Sequence, residues 1–203
     1  GQDSRLSAFS FYPTKNMTTI EGGLLAVNDP ELVPKLRAAM LHGLSKDAWN
    51  RYSASGSPHW DVVLPGFKYN MTDVEAAMGL CQLDRLGEFL YLRRKYAAYY
   101  REALGEVEGL RLLAPPDEGH SHHLFIAQVE PEVLGVDRDG FIAALRQENI
   151  GTGIHFRALH LMQYYRERYG FREGQFPRSE WASERLFSLP LYPKMSFEQV
   201  ERV

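Results

Sequence analysis

Lys15 is the residue whose type and position best suit covalent chemistry in this chain. Ser10 lies five residues before it, across a bend at Pro13, so a hydroxyl and an amine can face one small site. An amine with phosphate-binding hydroxyls suits an aldehyde cofactor that carries a phosphate. Pyridoxal phosphate needs a lysine to hold it as a Schiff base, and the same amine, once displaced, to carry a proton between two carbons. A solvated loop lysine satisfies the same spacing, because lone lysines are mostly exposed. Spacing alone does not choose between the two.

Other reactive residue types carry less. His120, His122 and His123 are dense, but no carboxylate or cysteine completes a recognisable ligand spacing, so a turn into a strand is expected rather than a metal site. Cys81 falls on the apolar stripe of a helix and is expected in the core. His42, before Gly43, sits where a helix C-terminus would favour a cationic ring. Arg93, Arg94 and Lys95 are expected on a solvated face, with Tyr96, Tyr99 and Tyr100 packed between two parts of the chain.

The elements that must position Lys15 are legible around it. Ala8 to Phe11 alternates small and aromatic residues and predicts a strand, which Pro13 ends by removing a backbone donor. Gly22-Gly23 permits a tight turn into Leu24 to Val27, the second strand of a hairpin, so the lysine is held on its loop. Asp29-Pro30 starts a helix that should stop near Gly43. Leu44 to Tyr69 has no period and holds Trp49, Tyr52, Trp60 and Phe67, the texture of a functional or partner-facing stretch. Thr72 and Glu75 form a capping box before a long helical pattern, which Gly79 and Gly87 leave readable as one kinked helix or two. The domain boundary is expected along it.

Beyond Leu110 the texture changes to short strands and helices. Strands are expected at Leu110 to Leu113, His123 to Val129 and Ile154 to Phe156, with Pro115-Pro116 between the first two. Helices are expected from Arg138 to Glu148 after Asp137, near Met162 to Tyr169, at Ser179 to Phe187, and after the capping box of Ser196 and Gln199. Two unequal α/β parts are the simplest organisation.

Composition bounds the function classes. The chain has 203 residues, 44% hydrophobic and 24% charged, which is ordinary for a folded soluble protein and excludes disorder as its main state. A formal net charge of -3 provides no long-range field for phosphates, which argues against a general nucleic-acid or anionic-membrane binder. The longest apolar runs fall far short of the ~20 residues of a spanning helix. With no signal-like start and a single cysteine, a cytoplasmic location is expected.

Four segments carry a resemblance. Ser10-Phe11-Tyr12-Pro13-Thr14-Lys15-Asn16-Met17-Thr18-Thr19-Ile20-Glu21-Gly22-Gly23 resembles the active-site segment of the DegT/DnrJ/StrS family of PLP-dependent sugar aminotransferases. Pro65 to Asp73 with Glu75-Ala76-Ala77, Gly151 to Phe156 with Leu159-His160, and Leu189 to Pro193 resemble later segments of that family, in its order. Four ordered matches are stronger than any lone motif.

The resemblance implies an α/β chain of PLP-dependent transferase fold type I, the aspartate-aminotransferase-like fold. Residues 1–105 would be the remainder of the large cofactor-binding domain with its linking helix, and 106–203 the small C-terminal domain. It implies amino transfer, with glutamate as the expected donor, to a keto group of a nucleotide-linked sugar, with pyridoxal 5'-phosphate as cofactor. Lys15 would be the Schiff-base lysine and proton carrier, and Ser10 would bind the cofactor phosphate. Asn70 would reach the phosphate of the neighbouring subunit, which implies a homodimer with composite active sites. His155 and His160 would lie near the nucleotide-sugar substrate. Ile20 stands where glycine is frequent in relatives and Phe156 where tyrosine is frequent. In the dehydratase branch a histidine replaces the lysine, so Lys15 favours transfer over dehydration. A non-catalytic sensor of the same fold is the other alternative. Relatives run to nearly twice this length, so the chain is expected to be the carboxy-terminal half of such an enzyme and inactive alone.

Overall fold

A computed structural model describes residues 4–45, 60–114 and 117–203, and the chain divides into two units, Gly1–Leu86 and Gly87–Val203. Trp49, Tyr52 and the Pro115-Pro116 pair lie outside the described residues.

In the first unit, strand β1 (Leu6–Ser10) pairs antiparallel with β2 (Gly23–Val27), in a register that runs from Leu6 opposite Val27 to Ser10 opposite Gly23. β1 begins earlier than the alternation suggests and stops before Phe11, whose amide instead bonds the Gly22 carbonyl at 2.9 Å. Asp29 closes the ribbon and opens the next element. Its Oδ1 accepts the Glu31 amide at 2.9 Å and its Oδ2 accepts Arg5 Nε at 2.8 Å. A 3-10 turn at Pro30–Leu32 leads into α1 (Val33–Met40), which ends in a reversal where His42 and Gly43 both have positive φ, 56° and 72°. Residues 61–69 run back along that reversal. The amides of Val63, Phe67 and Tyr69 bond the carbonyls of Gly43, Ala39 and Met40 at 2.7–2.8 Å. The described part of the stretch without periodicity is thus held by backbone bonds, which leave no pattern in side-chain type.

Helix α2 (Asp73–Leu104) is continuous through both glycines. The capping box forms as expected, with the Thr72 amide donating to Glu75 Oε2 at 2.7 Å and the Glu75 amide to Thr72 Oγ1 at 3.3 Å. The Thr72 bonds hold the Glu75 carboxyl below its usual range. The division between units falls within this helix, at Leu86 and Gly87. Cys81 is exposed, a correction to the buried position its spacing suggested. Val74 and Met78, of the apolar stripe that predicted burial, are exposed as well.

The second unit is built on a three-stranded antiparallel sheet, β3 (Leu110–Leu112), β4 (Phe125–Val129) and β5 (Leu186–Leu189), with β4 in the middle. Phe125, Ala127 and Val129 alternate along β4, and Leu189 and Phe187 stand opposite the first two on β5, so all share one face. Tyr96, Ala97 and Tyr100 of α2 join these residues in a buried cluster. The Tyr100 ring meets Phe125 edge-on at 5.1 Å. Phe187 was expected at the end of a helix, but α6 (Pro177–Arg185) stops two residues earlier, because burial opposite β4 outweighs local helix pattern. The remaining helices are α3 (Pro131–Leu134), α4 (Arg138–Gln147), α5 (Gln163–Tyr169) and α7 (Phe197–Arg202). Asp137 caps α4 through the Gly140 amide at 2.8 Å, and the Ser196/Gln199 capping box opens α7. Residues 154–156 form no strand; one bridge joins Gly153 to Ser188.

Arg93 is also corrected. It is buried, and its Nη1 donates to the carbonyls of His122, His123 and Leu191 at 3.2, 3.1 and 2.8 Å. Burial lowers its pKa from the usual arginine value. Tyr96 donates to the Met195 carbonyl at 2.8 Å and Tyr100 to that of Pro190 at 2.9 Å. One face of α2 therefore ties down the chain from 190 to 195, and these two tyrosines lie in the core of the second unit. The rings of His120 and His122 meet edge to face, and burial, then His120, Arg94 and Arg101, push the His122 pKa down.

Candidate active-site loop

Lys15 stands on the loop between β1 and β2, at the end of a turn in which its amide bonds the Tyr12 carbonyl at 2.9 Å. Pro13 occupies the second position of that turn, where its fixed φ is already suited. Ser10, the last residue of β1, lies at the other end, with its Oγ 3.4 Å from the Tyr12 amide. Lys15 is half-buried, and its amine makes no hydrogen bond or ion pair among the described residues.

The return half of the loop is held by two threonines that sequence reasoning did not single out. Thr18 Oγ1 donates to the Phe11 carbonyl at 2.9 Å and accepts from the Ile20 amide at 2.9 Å, and its own amide points to Gln82 Oε1 at 3.4 Å. Thr19 is buried and donates to the Glu21 carbonyl at 2.6 Å. A Cβ at Gly22, where φ is +147°, would collide with the Thr19 hydroxyl, and one at Gly79 on α2 would sit 2.9 Å from Thr19 Cγ2. The two glycines thus make the space in which Thr19 anchors the loop. Ile20 has φ of 74°, a left-handed conformation that glycine adopts freely and a β-branched residue only under strain. That is the physical reason glycine suits this position. Adjacent threonines in a polar stretch give no periodic signal, and only a turn reading based on side-chain to backbone bonds could have found them.

Asn70 follows the segment bound to α1. Its Oδ1 accepts from Lys68 Nζ, and the rings of Phe67 and Tyr69 stack at 4.9 Å. Lys15, Ser10 and Asn70 are all in the first unit, and His155 and His160 are in the second. His155 Nδ1 lies 2.9 Å from Ser188 Oγ, and its ring covers Gly153, where a Cβ would approach it to 2.6 Å. His160 is buried, with Nε2 2.8 Å from Glu180 Oε1 and rings of Phe176 and Phe171 at 4.8 and 6.4 Å. Glu180 also accepts the amides of Gly174 and Phe176, at 2.8 and 3.1 Å. The Gly174 amide above all, then the His160 and Phe176 bonds, holds its carboxyl below the usual glutamate range. The His160–Glu180 pair therefore fastens the 170–176 turn to α6, and spacing twenty residues apart gave no sign of it.

The residues of the Lys15 loop fit a phosphorylated aldehyde. An amine without a competing carboxylate can react with the carbonyl, and Ser10 Oγ can donate to an oxyanion. No helix among the described residues is long and apolar enough to cross a membrane.

The chain is 45% identical over 199 residues to the spore coat polysaccharide biosynthesis protein SpsC of Bacillus subtilis, covering 97% of this chain and 51% of that protein. It is 43% identical over 201 residues to the UDP-4-amino-4-deoxy-L-arabinose--oxoglutarate aminotransferase of Shewanella sediminis, covering 96% of this chain and 52% of that protein. The solved PLP form of Spr1654 from Streptococcus pneumoniae superposes with a TM-score of 0.84 at 30% identity, over 98% of this chain and 49% of that one. The chain thus spans about half the length of the relatives it matches, and over that half it has the fold of type I sugar aminotransferases. The model of a family of PLP-dependent aminotransferases matches residues 1–203 throughout, with the lysine hairpin inside it, and the chain belongs to the DegT/DnrJ/EryC1/StrS aminotransferase family.

Proposed function

We propose that this chain supplies the lysine side of a PLP-dependent aminotransferase site, in a protein that moves an amino group from glutamate to a keto group of a nucleotide-linked sugar. The observation that carries this reading is the Lys15 amine, half-buried and without a polar partner among the described residues, on a loop fixed by Thr18 and Thr19. The name of the Shewanella sediminis relative, which pairs a UDP-linked amino sugar with oxoglutarate, supports both substrates. Residues 1–105 form the remainder of the cofactor-holding domain with its linking helix, and 106–203 the small domain.

Bound pyridoxal phosphate supplies an electron sink for the carbanion formed when a proton leaves the substrate carbon. Lys15 would hold the cofactor aldehyde through its amine and, once released, its amine would be placed to carry a proton. Removal of Lys15 therefore takes away both the covalent hold and the proton carrier. Ser10 donates to the cofactor phosphate, and Asn70 reaches the phosphate held by a partner subunit in a homodimer with composite sites. His155 and His160 border the nucleotide-sugar pocket. His155 would do so from its place beside Ser188, and His160 from behind, through Glu180 and the 170–176 turn.

The test is reduction with borohydride of the full-length protein loaded with pyridoxal phosphate, followed by peptide mapping. The pyridoxyl label is expected on Lys15, and Lys15→Ala is expected to lose the label and at least about 10³-fold in turnover. Labelling elsewhere, with turnover retained in Lys15→Ala, would remove the assignment.

A further inference from the structure

We propose that the second unit carries an anion-binding pocket at α5, built to take the phosphoryl or diphosphoryl group of a small phosphorylated ligand. It stands independently of Lys15. A cavity of about 690 Å³ opens between α5 and the turn that follows it, a volume suited to a small molecule. Arg157, Arg166 and Arg172 line it, from the loop before α5, from the helix and from the turn beyond, so three separate stretches of chain each contribute an arginine to its lining.

Five arginines of the same unit are engaged by the protein itself. Arg93 and Arg101 donate to backbone carbonyls, Arg138 pairs with Asp139, Arg185 with Glu132, and Arg202 donates to the Glu148 carbonyl. Among the described residues, the guanidiniums of Arg157, Arg166 and Arg172 have no carboxylate or carbonyl partner. The one carboxylate in the lining, Glu167, is occupied by Gln163, whose Nε2 donates to its Oε1 at 2.8 Å. Three guanidiniums against one carboxylate leave a site positive by two charges, in a chain whose net charge is -3. Planar guanidiniums match phosphoryl oxygens through paired N–H donors. Leu161, Met162 and Phe171 supply an apolar wall in the same cavity, so the ligand is expected to carry an apolar or ring portion beside its anion.

Behind the wall, His160 and Glu180 hold the 170–176 turn that presents Phe171 and Arg172, so the pocket has a fixed rear side. The α5 helix is not the source of the attraction. The charge comes from side chains that approach from both sides of it.

Calorimetric titration of the full chain with pyrophosphate, with uridine diphosphate and with uridine tests the pocket. Saturable binding of both phosphorylated probes, with none for uridine, is the expected result. Tighter uridine diphosphate than pyrophosphate marks a nucleotide as the ligand, and equal affinities mark the phosphoryl group alone. The triple variant Arg157→Gln/Arg166→Gln/Arg172→Gln changes exposed side chains and is expected to fold and to weaken binding at least about thirtyfold. Glu167→Gln removes the opposing charge and is expected to tighten binding severalfold, a gain that no folding defect can mimic. Lys15→Ala should bind as the parent does, which separates this pocket from the cofactor site. Absence of saturable binding, or an unchanged affinity in the triple variant, overturns the proposal.

Discussion

The two units rely on different physics. In the second, a continuous cluster from Tyr96 to Val200 is removed from water, and β4 is buried along nearly its whole length. In the first, Ala38 and Leu44 are the buried apolar side chains among the described residues, while Leu6, Phe9, Leu24 and Leu25 stay exposed on the two-stranded ribbon. A two-stranded ribbon is marginal by itself. What fixes the Lys15 loop is a set of directional bonds from Thr18 and Thr19 and the absence of a Cβ at Gly22 and Gly79. The contrast teaches that the second unit is held chiefly by close packing and the loop chiefly by a few directional bonds.

The contrast can be broken at its strongest point first. Phe187→Ala removes a ring that is 1% exposed and meets Phe141 at 5.3 Å, and is expected to destabilise the second unit by about 3–5 kcal/mol. Denaturant unfolding monitored by hydrogen exchange of the β4 amides measures it, and a change under about 1 kcal/mol would mean that the cluster does not carry the unit. Gly22→Ala should cost less, roughly 1–3 kcal/mol, because it forces a strained φ and displaces Thr19. Exchange of the Phe11 and Thr19 amides should accelerate while those of β4 do not change. Uniform acceleration across both units would erase the distinction.

The smallest effect sharpens the comparison through pH. The Glu180 carboxyl titrates lower in the folded state than in the unfolded chain, so its bonds to Gly174 and His160 stabilise above the unfolded value of about 4.3 and are lost as pH falls through the folded one. Thermal unfolding of the parent should therefore lose its advantage over Glu180→Gln on acidification below about pH 4, and keep it constant from pH 5 to 6. A parallel pH dependence in the two proteins would show that the ionised carboxylate does not hold the 170–176 turn.

Much of the frame was legible because its signals are local. Pro13 and the Gly22-Gly23 pair bracketed the hairpin loop, and Thr72, Asp137 and Ser196 marked helix starts through side chains that bond their own next turn. Lys15, Ser10 and Asn70 could be proposed from the lysine segment and its ordered neighbours. Arg93, Cys81 and Phe187 were misread because charge, apolar spacing and helix pattern are priors that long-range burial overrides. Arg93 is charged yet buried under three carbonyls, and Cys81 lies on an apolar stripe yet is exposed.

By itself the sequence determined the turns, the caps, the loop lysine and the family, since each depends on residues within a few positions of one another or on ordered short segments. Only the tertiary structure decided which residues anchor that loop, that His160 is engaged by Glu180, and that three arginines line one cavity. Those facts depend on which distant atoms come within about 3 Å of each other, and a hydrogen bond that short leaves no periodic trace in the order of residues.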